Sequence, residues 1–141
     1  MTTDNAPDWS QTRAPSLEEF EVLAEAAFAR LPGTFRARCE GLLIRIEDFA
    51  EDDALDDLGM ESPFELMGLY QGVSIAAGAS AVRSGPDMVL LFRRAILDYW
   101  AEFDETLGHL VTHVLVHEIG HHLGLSDADM EAIEAGVAAG D

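Results

Sequence analysis

The sequence predicts an α+β fold, a small mixed sheet packed against helices, and three features point to it. Apolar residues recur at three- and four-residue spacing over residues 17–31, the signature of an amphipathic helix. The same spacing returns over residues 105–123. Between these stretches lie short apolar segments of strand length, bounded by glycine, proline and acidic residues. Helix, about three strands, then helices again is the order expected of an α+β domain.

Taken along the chain, residues 1–15 are polar, carry Pro7 and Pro15, and read as a flexible leader. They have neither a basic n-region nor an apolar h-region, so they are not a secretory signal. Residues 16–141 read as a single domain, long enough to bury one core without disulfides. Ser16 and Glu19 form a potential capping box ahead of the first helix, which Pro32-Gly33 stops. Residues 42–49, with Ile44 and Ile46, predict a strand, and a loop follows with Gly59 and Pro63. A second strand is predicted over residues 66–75, interrupted by Gly68 and Gly72, then a loop over residues 76–86 and a buried strand over residues 88–92. The helix over residues 105–123 is about 28 Å long at ~1.5 Å per residue. Gly124 is suited to a left-handed cap, and Ser126-Asp127 can start a last helix holding Met130, Ile133 and Val137.

The charge balance excludes some partners. With 27 acidic residues against 8 basic ones, all arginine, the net charge is −19. That surface repels nucleic acid and anionic lipid. No segment approaches the ~20 apolar residues that cross a bilayer. Nine acidic residues fall between Glu47 and Glu65 with no basic residue among them, a stretch expected to be a solvated loop. Cys39 is the single cysteine and cannot form an internal disulfide, so the fold does not depend on an oxidising compartment; with neither a secretory signal nor a spanning segment read in the sequence, the expected location is cytoplasmic.

The chemistry is concentrated in His117-Glu118-Ile119-Gly120-His121. Residues four apart on a helix lie about 40° apart around its axis and one turn apart along it, so both imidazoles can reach one ion. Zinc accepts imidazole nitrogen and, in catalytic sites, keeps one position open for water. Glu118 sits ~60° round the helix from His121, beside that open position, where a carboxylate can act as general base while zinc lowers the pKa of its water.

The longer stretch from His117 to Asp127, together with Leu69-Tyr70-Gln71-Gly72 and Phe92-Arg93-Arg94, resembles a family of small bacterial zincin-like proteins with an HExxHxxGxxD motif. The resemblance covers roughly residues 16–136. It implies a zincin-like fold, one zinc ion held by His117, His121 and Asp127, and metallopeptidase activity; a domain this small offers only a shallow, open cleft, so the expected substrate is a peptide or unfolded polypeptide. Only 14 residues follow Asp127, which leaves no room for the separate methionine-containing turn of larger zincins, so Met130 is expected in the core.

Asp127 has a competing explanation, because an aspartate directly before a helix is a natural N-cap. Glu131 or a water would then complete the metal site. His122 is expected to face away from the metal, His113 to be an ordinary partly exposed helix histidine, and His109 to lie too far along the axis to join His121. Tyr70, Tyr99 and Arg93 are the candidates for stabilising an oxyanion. The strand over residues 66–72 could bind an extended substrate by strand addition if it lies at a sheet edge. Two other functions fit the same residues: a zinc protein without turnover, and an acidic interaction module.

Overall fold

The computed structural model describes residues 8–72 and 87–139. Of the expected leader, residues 8–15 are described: Asp8 caps a short 3-10 turn at Trp9–Gln11. The first helix, α1 (Leu17–Ala29), starts where the sequence places it. Ser16 Oγ accepts from the Glu19 N–H at 3.1 Å and the Glu19 carboxylate accepts from the Ser16 N–H at 3.0 Å. Phe20, Ala24 and Ala27 on its inner face are buried. After Pro32 a one-turn helix, α2 (Gly33–Ala37), buries Phe35. Cys39 follows, its thiol donating to the Phe35 carbonyl, and burial pushes the thiol pKa up against the opposing pull of Arg38.

Strand β1 (Leu43–Glu47) leads into the acidic stretch, and here the structure corrects the expected loop. Residues Asp52–Asp57 form helix α3. Asp52 and Asp53 occupy its first turn, where negative charge complements the helix dipole, and Leu55 is buried beneath it. Acidic density does not forbid a helix when one apolar residue per turn finds a core.

A 3-10 turn at Pro63–Glu65 precedes β2 (Gly68–Gln71), shorter than the predicted strand; residues 73–86, with the expected loop, lie outside the described residues. Then come β3 (Met88–Phe92), α4 (Arg93–Glu102), α5 (Leu107–His122) and α6 (Asp127–Ala139). Periodicity predicts nothing over residues 93–102. Helix α4 forms there because Ala95 and Ile96 bury against opposite sides of the sheet's end, too few anchors to register as a period.

The sheet runs β1-β3-β2, with β1 parallel and β2 antiparallel to β3, so it is mixed and β2 is an edge. Strand alternation divides the core between its faces. Val89 and Leu91 join α1, α5 and α6 in the main core, while Leu90 and Phe92 join Ala50, Leu55 and Leu66 on the other face. Met130 is fully buried, as expected.

Helix α5 ends in a Schellman motif. The Gly124 N–H donates to His121 O at 3.1 Å and the Leu125 N–H to Gly120 O at 2.9 Å, with Gly124 at φ +76°. The chain then turns back, so that Glu134 late in α6 meets His113 early in α5 and the two helices run antiparallel. No helix among the described residues is long and apolar enough to cross a membrane.

Candidate metal centre

Helix α5 carries His109, His113, His117 and His121 at a strict four-residue interval, a ladder drifting only ~40° per step. The structure puts the rungs to different uses. His109 Nδ1 pairs with Glu105 at 2.8 Å, at the far end of the helix. His117 and His121 stand with ring centroids 5.9 Å apart and planes nearly perpendicular. His117 is largely enclosed, and its Nε2 is buried without a hydrogen-bond partner. A buried imidazole nitrogen in that state is what a metal ligand leaves when no metal is present, so the donor set fits zinc.

Glu118 points from α5 towards the sheet edge. The Tyr70 backbone N–H donates to its carboxylate. The geometry of the edge explains this. The Phe92 N–H donates to Met67 O at 2.9 Å, so in the antiparallel ladder the hydrogen-bonded pairs are those of Met67, Leu69 and Gln71, and the backbone groups of Gly68 and Tyr70 face outward. Burial raises the Glu118 pKa, opposed by the nearby His121 and by the Tyr70 N–H.

Gly68 makes this approach possible. A Cβ there would stand 2.7 Å from Val114 Cγ1 and 3.1 Å from Glu118 Cγ. The Gly68→Ala variant is expected to push Glu118 off the Tyr70 N–H, lowering any peptide cleavage by ~10-fold or more while zinc binding persists. Equal activity in G68A and wild type would show that Glu118 does not depend on this seat.

Asp127 is the first residue of α6 and is exposed. Its competing role as a cap is not the one the structure gives it. Ser126 caps α6: its Oγ accepts from the Asp129 N–H at 3.1 Å and the Asp129 carboxylate accepts from the Ser126 N–H at 3.1 Å. Capping therefore does not account for Asp127. Glu131 is exposed as well.

The residues that converge most closely include one that sequence reasoning passed over. His113, His117 and Glu134 each offer a ligand atom, all within 4.8 Å of one another, and His121 and Asp127 stand outside that group. Glu134 Oε1 lies 2.8 Å from His113 Nδ1 and Oε2 lies 3.4 Å from His117 Nε2. The signal for it was present: Glu134 is seven residues beyond Asp127, two helical turns, hence on the same face of α6 to within ~20°.

The remaining candidates separate cleanly. His122 stacks on Tyr70, ring centroids 3.8 Å apart, which fixes Tyr70 beside Glu118. Arg93 donates to Pro15 O at 2.6 Å and pairs with Asp48 at 3.0 Å, and Tyr99 stacks on Phe103 in α4. Of the three candidate oxyanion residues, Tyr70 is the one held next to Glu118.

A family model described as zincin-like metallopeptidase matches residues 39–137. That span runs from Cys39 ahead of β1 to Val137 in α6 and includes all the residues described above as site candidates. No curated protein matches the chain.

Proposed function

The chain belongs to the zincin-like metallopeptidase family, and from that premise we propose that it is a zinc peptidase acting on peptides or unfolded polypeptide, with Glu118 as general base and His117, His121 and Asp127 as metal ligands. The observation that carries the reading is the placement of Glu118. Its carboxylate is enclosed between α5 and the edge strand, seated on the Tyr70 N–H, one residue from a histidine whose buried Nε2 makes no hydrogen bond.

Zinc, when bound, acts as a Lewis acid that makes water a competent nucleophile near neutral pH. The rest of the work falls to the chain. A carboxylate with a raised pKa is a better proton acceptor than an ordinary one, because its basicity lies closer to the working pH. Glu118 can take the proton from the attacking water and return it to the departing amine. Its seat on the strand backbone holds it at the height of β2.

Strand β2 lies at the sheet edge, but its outward Tyr70 N–H is taken by Glu118 and Gly68 is packed against Val114, so main-chain pairing of a peptide at these two residues would require Glu118 to leave its seat. The net charge of −19 favours approach of basic segments.

The test is cleavage of a diverse peptide library by zinc-loaded protein at about pH 7. Activity is expected, to vanish on chelation and to return with added zinc. Asp127→Asn is expected to lower cleavage by ~100-fold or more, and Glu131→Gln to leave it within about two-fold, since loss of an outer partner alone costs 10–100-fold. A zinc-loaded protein that cleaves no peptide would sink the reading. An active D127N variant would remove Asp127 from it.

A further inference from the structure

We propose that His113, His117 and Glu134 form a second zinc position, one helical turn below the motif's own, and that the two positions compete for His117. The lower triad has its ligand atoms within 4.8 Å of one another, close enough that small side-chain rotations would bring all three to ~2.0–2.2 Å from one ion. Two imidazoles and a carboxylate are a donor set well matched to zinc.

The ladder of histidines and the period of α6 explain why two positions exist. On α5, His113, His117 and His121 share a face; on α6, Asp127 and Glu134 share a face. Because the helices run antiparallel, Asp127 lies towards the end of α5 that carries His121, and Glu134 lies beside His113. Each carboxylate thus has its own histidine, and His117 stands between. The two positions are one α5 turn apart, ~6 Å along the axis.

An alternative role for Glu134 is that of an outer carboxylate orienting a ligating histidine. Such a partner hydrogen-bonds the ring nitrogen remote from the metal. Glu134 Oε2 instead faces His117 Nε2, the buried nitrogen that lacks a hydrogen-bond partner, at 3.4 Å. It therefore faces the same nitrogen that an ion would take. The lone pair of that nitrogen serves one ion at a time, so zinc in the lower position withdraws His117 from the motif and leaves Glu118 without a metal beside it. The competition rests on the reading of the motif given above; the lower position itself does not.

The experiment adds zinc chloride to metal-free full-length protein and counts bound zinc by native mass spectrometry, with affinity from chelator competition. Wild type is expected to hold one tightly bound zinc. The His121→Ala/Asp127→Asn variant, which breaks the motif set at two exposed positions, is expected to hold one zinc as well. Adding Glu134→Gln to that variant is expected to weaken binding by more than ~100-fold, since an inner ligand contributes at least as much as an outer partner. Cobalt(II) supplies an independent readout: its visible absorption is expected to differ between the H121A/D127N and His113→Ala/E134Q variants, one reporting each position. Circular dichroism of each metal-free variant checks that α5 and α6 remain.

If the folded H121A/D127N variant binds no zinc while wild type binds one, the lower position does not exist and His113 and Glu134 are simply a hydrogen-bonded pair tying α5 to α6. The motif reading would be untouched by that result. If instead the folded H113A/E134Q variant binds none while H121A/D127N binds one, the lower position stands and the motif reading fails.

Discussion

Glu118→Gln is expected to abolish peptide cleavage, by ~100-fold to 10,000-fold, the range that general acid–base groups contribute, while zinc stays bound. The amide keeps the shape and can still accept from the Tyr70 N–H, but it cannot take a proton from water. The same variant should make the metal-free protein more stable at neutral pH, and the sign follows from the pKa. Burial raises the folded-state value of Glu118 above its unfolded value. A group of that kind favours the folded state fully below its unfolded pKa and loses that advantage as pH rises through the folded pKa. Above its folded-state pKa wild type holds an ionised carboxylate that burial disfavours, and the glutamine variant does not.

The difference in stability between E118Q and wild type, measured by urea denaturation without metal, should therefore grow in favour of E118Q as pH rises from the unfolded carboxylate value of about 4 through the folded-state pKa, and level off above it. A gap that is constant across this range would mean that Glu118 carries no buried charge. Retained cleavage in E118Q would remove it as the base. The combination expected, loss of activity with gain of stability, is the mark of a group kept for chemistry at a cost to the fold.

Much of the candidate site is legible in the sequence. The four-residue spacing of His117 and His121, the stop at Gly124 and the capping box at Ser16 are local rules, and local rules survive folding intact. The φ of +76° at Gly124 is what its place after a helix demands. What local rules could not show was which residues from different elements meet. That β2 is the edge strand depends on strand order, and the Tyr70 N–H reaching Glu118 depends on that edge. Glu134 is the clearest case. Its spacing from Asp127 marked it as sharing a face, but only the antiparallel return of α6 brings that face to His113. Likewise α3 and α4 were hidden, one under acidic residues and one because it buries only Ala95 and Ile96.

Among the contacts that set this return, the tightest is between Gly120 of α5 and Met130 of α6. A Cβ on residue 120 would collide with Met130 Sδ and stand 2.8 Å from Met130 Cγ. Met130 is fully buried, so its flexible side chain has nowhere to retreat. Alanine at an ordinary helix interior is about 1 kcal/mol better than glycine. Here the overpacking, ~1–3 kcal/mol, is expected to outweigh that gain. Gly120→Ala should destabilise the protein and, by prising α6 from α5, move Asp127 and Glu134 from the histidines and weaken zinc binding. Met130→Ala alone should cost ~2–5 kcal/mol through the cavity it leaves. In the double variant the new methyl enters the vacated space, so the two losses should fall short of their sum by ~1 kcal/mol or more in a urea-denaturation cycle. Additive losses, or a G120A protein more stable than wild type, would show that α6 is positioned by something other than this contact.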